Sequence, residues 1–286
     1  MWKMARTVKA FAPAKVNLTL HVTGQRADGY HLLDSLVMFA DAGDEITVEA
    51  ADETTLTVLG PMAAGVPTDK RNLVVQAANL LGVTAKITLE KYLPAAAGIG
   101  GGSSDAAAAL RALSTLYNIP LPTADEALRL GADVPVCLAP DWTRMAGIGD
   151  QIIRLGTGVN WPMILINPRV DVPTPKVFKA LSNKKNPPMD EGFPDCLQDD
   201  LALSWLVAQR NDLEAPAIAV EPVIGTCLEE LRVSPGCLLS RMSGSGATCF
   251  GIYKNDEFRD QALAQLRQAF PKWWIVPTED CGVKCR

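Results

Sequence analysis

The sequence predicts a globular fold that mixes β-strands and α-helices, arranged as one large domain or two of ordinary size. Short alternating or apolar runs follow one another through the first sixty residues, and helical patterns then alternate with further strands. A chain of 286 residues with 48% hydrophobic and 21% charged residues can bury a sizeable core. A glycine-rich stretch at 156–158 predicts a boundary near residue 155, which gives domains 1–155 and 156–286.

The first half of the chain begins with an alternating strand. Residues 14–23 place Lys15, Asn17, Thr19 and His21 on a polar side. The alternation favours water as the neighbour of this side, although residues two apart project side by side and could equally line a cleft. The other predicted elements of this half are strands at 32–39, 44–50, 54–59 and 85–92, and helices at 72–81 and 123–130.

The second half continues the mixture of elements. A polar stretch at 184–194 contains two adjacent prolines and predicts an exposed loop. The predicted elements are strands at 161–166 and 273–276, helices at 197–211, 221–232 and 257–269, and two strand-like runs within 238–253 joined by a loop of small residues.

Composition excludes several classes of function. A net charge of −5 argues against nucleic-acid binding driven by electrostatics. No apolar run approaches the roughly 18 residues of a membrane span, and no signal-peptide core follows the basic N-terminus. Seven scattered cysteines without a Cys-x-x-Cys pair, and only two histidines, leave few ligands for zinc. We therefore expect a cytoplasmic protein whose cysteines act mostly as small apolar residues.

The most informative stretch is the glycine loop, residues 94–104. Its four glycines allow close backbone approach and positive φ, so that successive N–H groups can form an anion-binding nest. Ser103, Ser104 and Asp105 predict the N-cap region of a following helix, where phosphate binds readily. The loop lacks the lysine of a Walker A motif and the third glycine of a Rossmann motif. It indicates a nucleotide-phosphate site of another class, the alternative being a tight turn without a ligand.

Two further positions are open to functional and structural interpretations. Tyr30 and His31 stand at the end of a turn-rich segment, where they could pack locally or stack on a flat base. Asp133 precedes Val-Pro, where it could be a turn residue or a catalytic carboxylate on a loop. The residues alone do not decide between these alternatives.

Three motifs in order resemble those of the GHMP kinases, the superfamily that includes galactokinase and the homoserine and mevalonate kinases. They are Pro-Ala-Lys-Val-Asn at 13–17, the glycine loop, and Met-Ser-Gly-Ser-Gly-Ala-Thr at 242–248. Segments 24–31 and 131–135 resemble motifs of one branch, which acts on a cytidine-linked sugar alcohol. The resemblance extends from about Ala10 to Tyr253.

This resemblance implies an α+β fold of two domains, with the active site in the cleft between them. It also implies ATP-dependent phosphorylation of the 2-hydroxyl of 4-diphosphocytidyl-2-C-methyl-D-erythritol, a step of the non-mevalonate route to isoprenoid precursors. Mg²⁺ would accompany ATP, with its ligands unassigned. The partners would be the small-molecule substrate alone, without nucleic acid or membrane, and the protein would be a monomer or homodimer.

The resemblance also implies roles for individual residues. Lys15 and Asp133 would form the catalytic pair. Asn17 would hold the substrate beside Lys15, while Tyr30 and His31 would recognise cytidine and Phe178 would offer a second stacking face. The residues that would bind ATP are Pro94, Ala95, Ala96, Ala97, Gly98, Ile99, Gly100, Gly101, Gly102, Ser103 and Ser104.

Three other functions are weighed against this one. A GHMP kinase for a nucleotide-free alcohol would give Tyr30 and His31 no base to stack on. A serine hydrolase would need a Gly-x-Ser-x-Gly elbow, which the sequence lacks. A nucleotide-binding protein without activity would not need both Lys15 and Asp133.

Overall fold

The computed structural model of the chain describes residues 6–156, 158–190 and 201–282, which include a larger sheet of seven strands and a smaller sheet of four. The larger sheet contains Thr7–Asn17 (β1), His21–Gln25 (β2), His31–Ala50 (β3), Thr55–Leu59 (β4), Ala85–Glu90 (β5), Trp142–Gly147 (β6) and Gln151–Gly156 (β7). The smaller sheet contains Met163–Asn167 (β8), Cys237–Met242 (β9), Cys249–Tyr253 (β10) and Trp274–Thr278 (β11). The helices are Leu73–Leu81 (α1), Gly101–Tyr117 (α2), Ala124–Leu128 (α3), Val134–Cys137 (α4), Thr174–Ala180 (α5), Leu201–Ala208 (α6), Glu214–Val220 (α7), Val223–Val233 (α8) and Asp256–Ala269 (α9).

Strand β3 is the centre of the larger sheet. The order is β4–β5–β3–β6–β7, and β1 and β2 also pair with β3. The prediction of separate strands at 32–39 and 44–50 is wrong, because β1 pairs across the stretch between them and keeps it extended. At Gly43 the two backbones approach so closely that a Cβ would lie 2.5 Å from the carbonyl oxygen of Ala12.

The alternating segment 14–23 is two strands, β1 and β2, separated at residues 18–20. Its polar side is buried, so the expectation of water there is wrong. Each of the four residues on this side is at most 5% exposed, namely Lys15, Asn17, Thr19 and His21. The segment 183–190 covers part of this side, since Thr19 Oγ1 contacts the sulfur of Met189 at 2.8 Å.

Helix α2 packs on the larger sheet and forms much of its core. Residues 106–109 are four fully buried alanines, whose small side chains let the helix lie close to β1 and β3. The helix begins earlier than predicted, with Gly100 as N-cap at φ +63°. Ser103, Ser104 and Asp105 therefore lie within the helix and do not cap it, because Gly100 adopts the left-handed conformation that ends the loop.

The smaller sheet has the order β11–β8–β10–β9 and follows the predicted strands closely.

The predicted helices at 72–81, 123–130 and 257–269 are confirmed as α1, α3 and α9, and Thr123 caps α3 with a capping box. The segment predicted as one helix at 197–211 contains α6, with 197–200 outside the described residues. Strands β6 and β7 and helix α5 were not predicted, because their short patterns are interrupted by glycine or proline. The domain boundary near 155 stays a prediction, although β7 ends the larger sheet at Gly156.

The described helices and cysteines bear on two sequence expectations. No helix in the described ranges is long and apolar enough to cross a membrane. Cys137, Cys227 and Cys249 are free and buried, and burial raises the pKa of each thiol, to about 12 for Cys137 and Cys227. These three cysteines act as small apolar residues, as expected.

A buried ion cluster joins β3, the end of β5 and α2 beneath the glycine loop. The ammonium of Lys91 contacts Asp105 Oδ2 at 2.8 Å and Asp44 Oδ2 at 2.5 Å. Asp44 also accepts the backbone N–H groups of Tyr92 and Leu93, whereas Asp105 Oδ1 has no partner among the described residues. Burial opposes the charge of Lys91, but the carboxylates of Asp105 and Asp44 outweigh it and raise the pKa of Lys91. Burial is also the main cause that raises the pKa of Asp105.

We predict that Lys91→Met destabilises the protein by about 3–5 kcal/mol, because it leaves two buried carboxylates without a counter-charge. Asp105→Asn leaves one cation facing one anion and keeps an oxygen for Lys91, so that we expect a loss of about 1 kcal/mol or less. Chemical denaturation of the two variants at pH 7 measures the difference. Equal losses would show that the cluster is not governed by charge balance.

Candidate active site

A cavity of about 540 Å³ opens where β1, the glycine loop, the start of α4 and the loop 243–248 meet. Residues from both sides of the predicted domain boundary line this cavity. The lining residues that the sequence singled out are Lys15, Asn17, Ala96, Ala97, Gly98, Gly100, Gly101, Gly102, Ser103, Asp133 and Phe178. Pro94, Ala95, Ile99 and Ser104 belong to the same loop but do not line this cavity, and both Ile99 and Ser104 are fully buried.

The catalytic pair expected from the resemblance is assembled in this cavity. Lys15 Nζ lies 3.0 Å from Asp133 Oδ1. The lysine side chain is 6% exposed, whereas that of Asp133 is 36% exposed, because Asp133 stands on the loop that leads into α4. The lysine is thus held within the fold, and the carboxylate faces the space that a substrate would enter.

The glycine loop crosses directly over Lys15. The backbone N–H of Lys15 donates to Ile99 O at 2.9 Å, which fixes the loop to β1. Gly100 passes so close that a Cβ at this position would lie 3.2 Å from Lys15 Cβ and 3.3 Å from Lys15 Cε. The first turn of α2 follows immediately, and its N–H groups have no carbonyl partner within the helix.

The third motif, residues 242–248, holds the glycine loop from the other side. Ser243 Oγ donates to Gly98 O and accepts the backbone N–H of Asn17, each at 3.0 Å. A Cβ at Gly98 would lie 2.6 Å from Ser243 O, and Gly98 has φ +72°, so the position requires glycine. The Asn211 side chain in turn donates to Met242 O and Gly244 O, each at 2.8 Å. Ser243 and Asn211 are structural residues of the site that were missed, although the run of small residues in the motif was visible in the sequence.

Asn17 lies beside Lys15 and lines the cavity, as the resemblance implies. Its side-chain amide donates to Ser35 Oγ at 2.7 Å, and Ser35 Oγ donates to Thr19 O. This chain of hydrogen bonds fixes the amide in one orientation, because Ser35 and Thr19 are both buried.

A second cavity, of about 740 Å³, adjoins the first and contains the predicted aromatic residues. Tyr30 is 63% exposed at its rim, and the rings of His31 and Phe178 stack with centroids 4.6 Å apart. Phe178 therefore stands against His31 itself, with no space for a base between these two rings. The residues that line both cavities are Leu33, Ile148, Thr174, Pro175 and Phe178.

The geometry argues against hydrolysis by a serine or cysteine nucleophile. Neither histidine of the chain is among the residues that line the cavity of Lys15 and Asp133. Burial, with a contribution from the charge of Asp133, raises the pKa of the nearby Cys137 to about 12, so this thiol is not a nucleophile at neutral pH. A positioned carboxylate, a cation and a glycine loop that leads into a helix N-terminus fit transfer of a phosphoryl group to a hydroxyl.

Comparisons with known proteins agree with this arrangement. The model of the GHMP kinases N-terminal domain matches residues 72–153, and that of the GHMP kinases C-terminal domain matches residues 189–272. A crystal structure of 4-(cytidine 5'-diphospho)-2C-methyl-D-erythritol kinase superposes with a TM-score of 0.79 and 32% identity, over 95% of this chain and 99% of that one. A homoserine kinase from Cytophaga hutchinsonii shares the fold, with a TM-score of 0.66 and 16% identity over 98% and 96% of the two chains.

Curated relatives are more similar still. The 4-diphosphocytidyl-2-C-methyl-D-erythritol kinases of Cereibacter sphaeroides and Dinoroseobacter shibae are each 53% identical to this chain, over 277 and 275 residues. Both alignments cover 96% of this chain, and they cover 99% and 95% of the respective relatives. The chain therefore belongs to the GHMP kinases and, within them, to the family of 4-diphosphocytidyl-2-C-methyl-D-erythritol kinases.

We predict that Gly100→Ala lowers the turnover rate at least tenfold, because the new methyl group forces Lys15 away from Asp133. A tenfold loss corresponds to a rise of roughly 1.4 kcal/mol in the activation barrier. Gly82→Ala is the matched control. Gly82 has a similar φ of +66°, but a Cβ there meets nothing within 4 Å. Both variants should lose about 1–2 kcal/mol of stability from backbone strain. Steady-state kinetics and denaturation separate the two effects, and normal turnover in Gly100→Ala would contradict the close packing on Lys15.

Proposed function

We propose that this chain transfers a phosphoryl group from ATP to the 2-hydroxyl of 4-diphosphocytidyl-2-C-methyl-D-erythritol. The observation that carries the proposal is the Lys15–Asp133 ion pair of 3.0 Å, which lies between an anion-binding loop and a cavity with aromatic walls. The names of relatives that are 53% identical over nearly the whole chain identify the same acceptor.

The glycine loop and the start of α2 would bind the phosphates of ATP. Their backbone N–H groups and the positive end of the helix suit an anion, and no lysine side chain is needed. When bound, ATP supplies the phosphoryl group and Mg²⁺ offsets the negative charge on its oxygens. No group of three or more His, Cys, Asp or Glu side chains within the described ranges is placed to hold a metal ion. We infer that Mg²⁺ would enter with ATP, keeping several waters and taking few protein ligands.

Asp133 would act as the general base. The acceptor hydroxyl is a tertiary alcohol, a hindered and weak nucleophile, so a positioned carboxylate is needed to take its proton as the new bond forms. Lys15 keeps Asp133 in one orientation through the ion pair. The charge of Lys15 would also offset the negative charge that spreads over the transferring phosphoryl group.

The second cavity would hold the cytidine part of the acceptor. Tyr30 offers an exposed ring for stacking, and His31 lines the same cavity beside it. Phe178 lies on the wall that the two cavities share and would therefore stand between the base and the reacting hydroxyl. Because His31 and Phe178 stack on each other, a base would have to lie on the Tyr30 side of this pair.

The test is an assay of ADP release with Mg-ATP and 4-diphosphocytidyl-2-C-methyl-D-erythritol, with the product examined by phosphorus NMR. We expect one equivalent of ADP and one new phosphomonoester signal. Mevalonate and homoserine serve as acceptors without a nucleobase, and we expect them to be phosphorylated at least a hundredfold more slowly. Equal rates with either of them would reject the acceptor, and ADP release without a new phosphomonoester would reject the transfer.

We predict that Asp133→Asn lowers the turnover rate by about 10²–10⁴-fold, which is the usual contribution of a general base. ATP binding should be retained, because the glycine loop is unchanged. Asp125→Asn, at an exposed position in the first turn of α3, is the control for loss of one carboxylate and should have normal activity. Turnover near the normal rate in Asp133→Asn would remove Asp133 as the base.

The cytoplasmic setting and the choice between monomer and homodimer stay predictions. Size-exclusion chromatography with light scattering measures the oligomeric state directly.

A further inference from the structure

Ser35, on β3, carries a buried hydroxyl at the edge of the first cavity. The residue lines this cavity and is only 2% exposed. Its Oγ lies 2.7 Å from the side-chain amide of Asn17 and 2.5 Å from Thr19 O. Thr19 is fully buried beneath Met189, which is itself 2% exposed although the sequence predicted an exposed loop at 184–194. The hydroxyl of Ser35 is therefore confined between two buried neighbours.

The directions of these two hydrogen bonds follow from the chemistry of the groups. A hydroxyl carries one hydrogen, and a backbone carbonyl can only accept. Ser35 therefore donates its hydrogen to Thr19 O and can only accept at its contact with Asn17. The atom of Asn17 that faces Ser35 must then be the amide nitrogen, which donates. Ser35 thus determines which end of the Asn17 amide points away from it.

The other end of the amide, Asn17 Oδ1, is left for the cavity. It accepts no hydrogen bond from a described residue, and it is not one of the described buried polar atoms that lack a partner. A Cβ at Gly244 would lie 3.5 Å from Asn17 Oδ1, and both residues line the first cavity. The backbone of Asn17 is fixed as well, because its N–H donates to Ser243 Oγ at 3.0 Å. Asn17 Oδ1 is therefore a fixed hydrogen-bond acceptor on the wall of the cavity.

The chemistry of the proposed transfer identifies the kind of donor that suits this oxygen. The reacting hydroxyl has one hydrogen, which Asp133 would take as general base. Asn17 Oδ1 would then receive a hydrogen from a different hydroxyl of the sugar alcohol. In 4-diphosphocytidyl-2-C-methyl-D-erythritol, the carbons on either side of the reacting carbon each carry a hydroxyl.

We propose that Ser35 is a positioning residue for the acceptor. It keeps the Asn17 amide turned so that Oδ1 accepts a hydrogen bond from a hydroxyl next to the reacting carbon. Without the hydroxyl of Ser35, no described group would distinguish the two ends of the amide, and its NH₂ group could face the acceptor instead. The inference rests on the proposed function in one respect, namely that the first cavity binds the sugar alcohol.

The first experiment compares the kinetics of Ser35→Ala with those of Ser114→Ala in the full chain. Ser114→Ala removes the same hydroxyl from a buried serine that lines neither cavity and donates to Pro120 O, so its rates should be normal. We expect Ser35→Ala to lower kcat/KM for the cytidine-linked acceptor about five- to tenfold, as for loss of one hydrogen bond. KM for ATP should be unchanged, because no described hydrogen bond joins Ser35 to the glycine loop.

Two analogues of the acceptor separate positioning from a general loss of structure. Each lacks one of the two hydroxyls next to the reacting carbon. The wild type should lose about five- to tenfold in kcat/KM with one of them, and with this analogue Ser35→Ala should cost nothing further. An equal cost of Ser35→Ala with the full acceptor and with both analogues would overturn the proposal, and so would a normal kcat/KM of Ser35→Ala with the full acceptor.

NMR on the full chain without ligand measures the orientation of the amide separately. The side-chain NH₂ signal of Asn17, assigned through its own backbone, should show nuclear Overhauser contacts to the Cβ protons of Ser35. Contacts to Gly244 alone would overturn the proposal. This measurement uses the wild type, so it decides the orientation even if Ser35→Ala does not fold. If the wild type phosphorylated no cytidine-linked acceptor, the proposed function would fail, while the NMR experiment would still decide whether Ser35 orients Asn17.

Discussion

The close approach of three backbones is the constraint on which the site depends. The glycine loop lies between β1 and the loop 243–248, and it is hydrogen-bonded to both through Lys15 N–H and Ser243 Oγ. A side chain at Gly98 or Gly100 would collide with one neighbour or the other. The absence of Cβ atoms therefore does two things at once. It suits the phosphate site that we propose at the start of α2, and it lets the loop pass close to Lys15.

Around this contact the molecule places charged groups that are wholly or partly buried. Lys91 lies between Asp44 and Asp105 under the glycine loop, and Lys15 contacts Asp133 within the cavity. Desolvation makes such groups costly unless each finds a partner. The partners come from different elements, so these pairs also fix β3, α2 and the start of α4 relative to one another. The placement of the glycine loop and of the Asp133 carboxylate therefore depends on interactions that also stabilise the fold.

In the proposed function, the two cavities hold different parts of the substrate. The cavity with Lys15 and Asp133 is polar at its floor and suits phosphoryl transfer, whereas the adjoining cavity is bounded by Tyr30, His31 and Phe178 and suits a nucleobase. A shared wall on α5 and β3 connects them. A substrate that joins a base to a sugar alcohol through a diphosphate would span both, which explains why a smaller alcohol would leave the aromatic cavity empty.

The sequence by itself determined most elements and, through the resemblance, identified Lys15 and Asp133 as residues that meet in one cavity, whereas their catalytic roles and phosphate binding by the glycine loop stay predictions. These features depend on local propensity and on short motifs, which a sequence displays directly. Only the tertiary structure decided that the polar side of β1 and β2 is buried and that residues 242–248 clamp the glycine loop. It also decided that Ser35 meets the side-chain amide of Asn17. The Asn17–Ser243 and Thr19–Met189 contacts join residues 226 and 170 positions apart in the chain. The period-2 pattern of a strand records which residues share a side, but what covers that side depends on distant segments that fold against it.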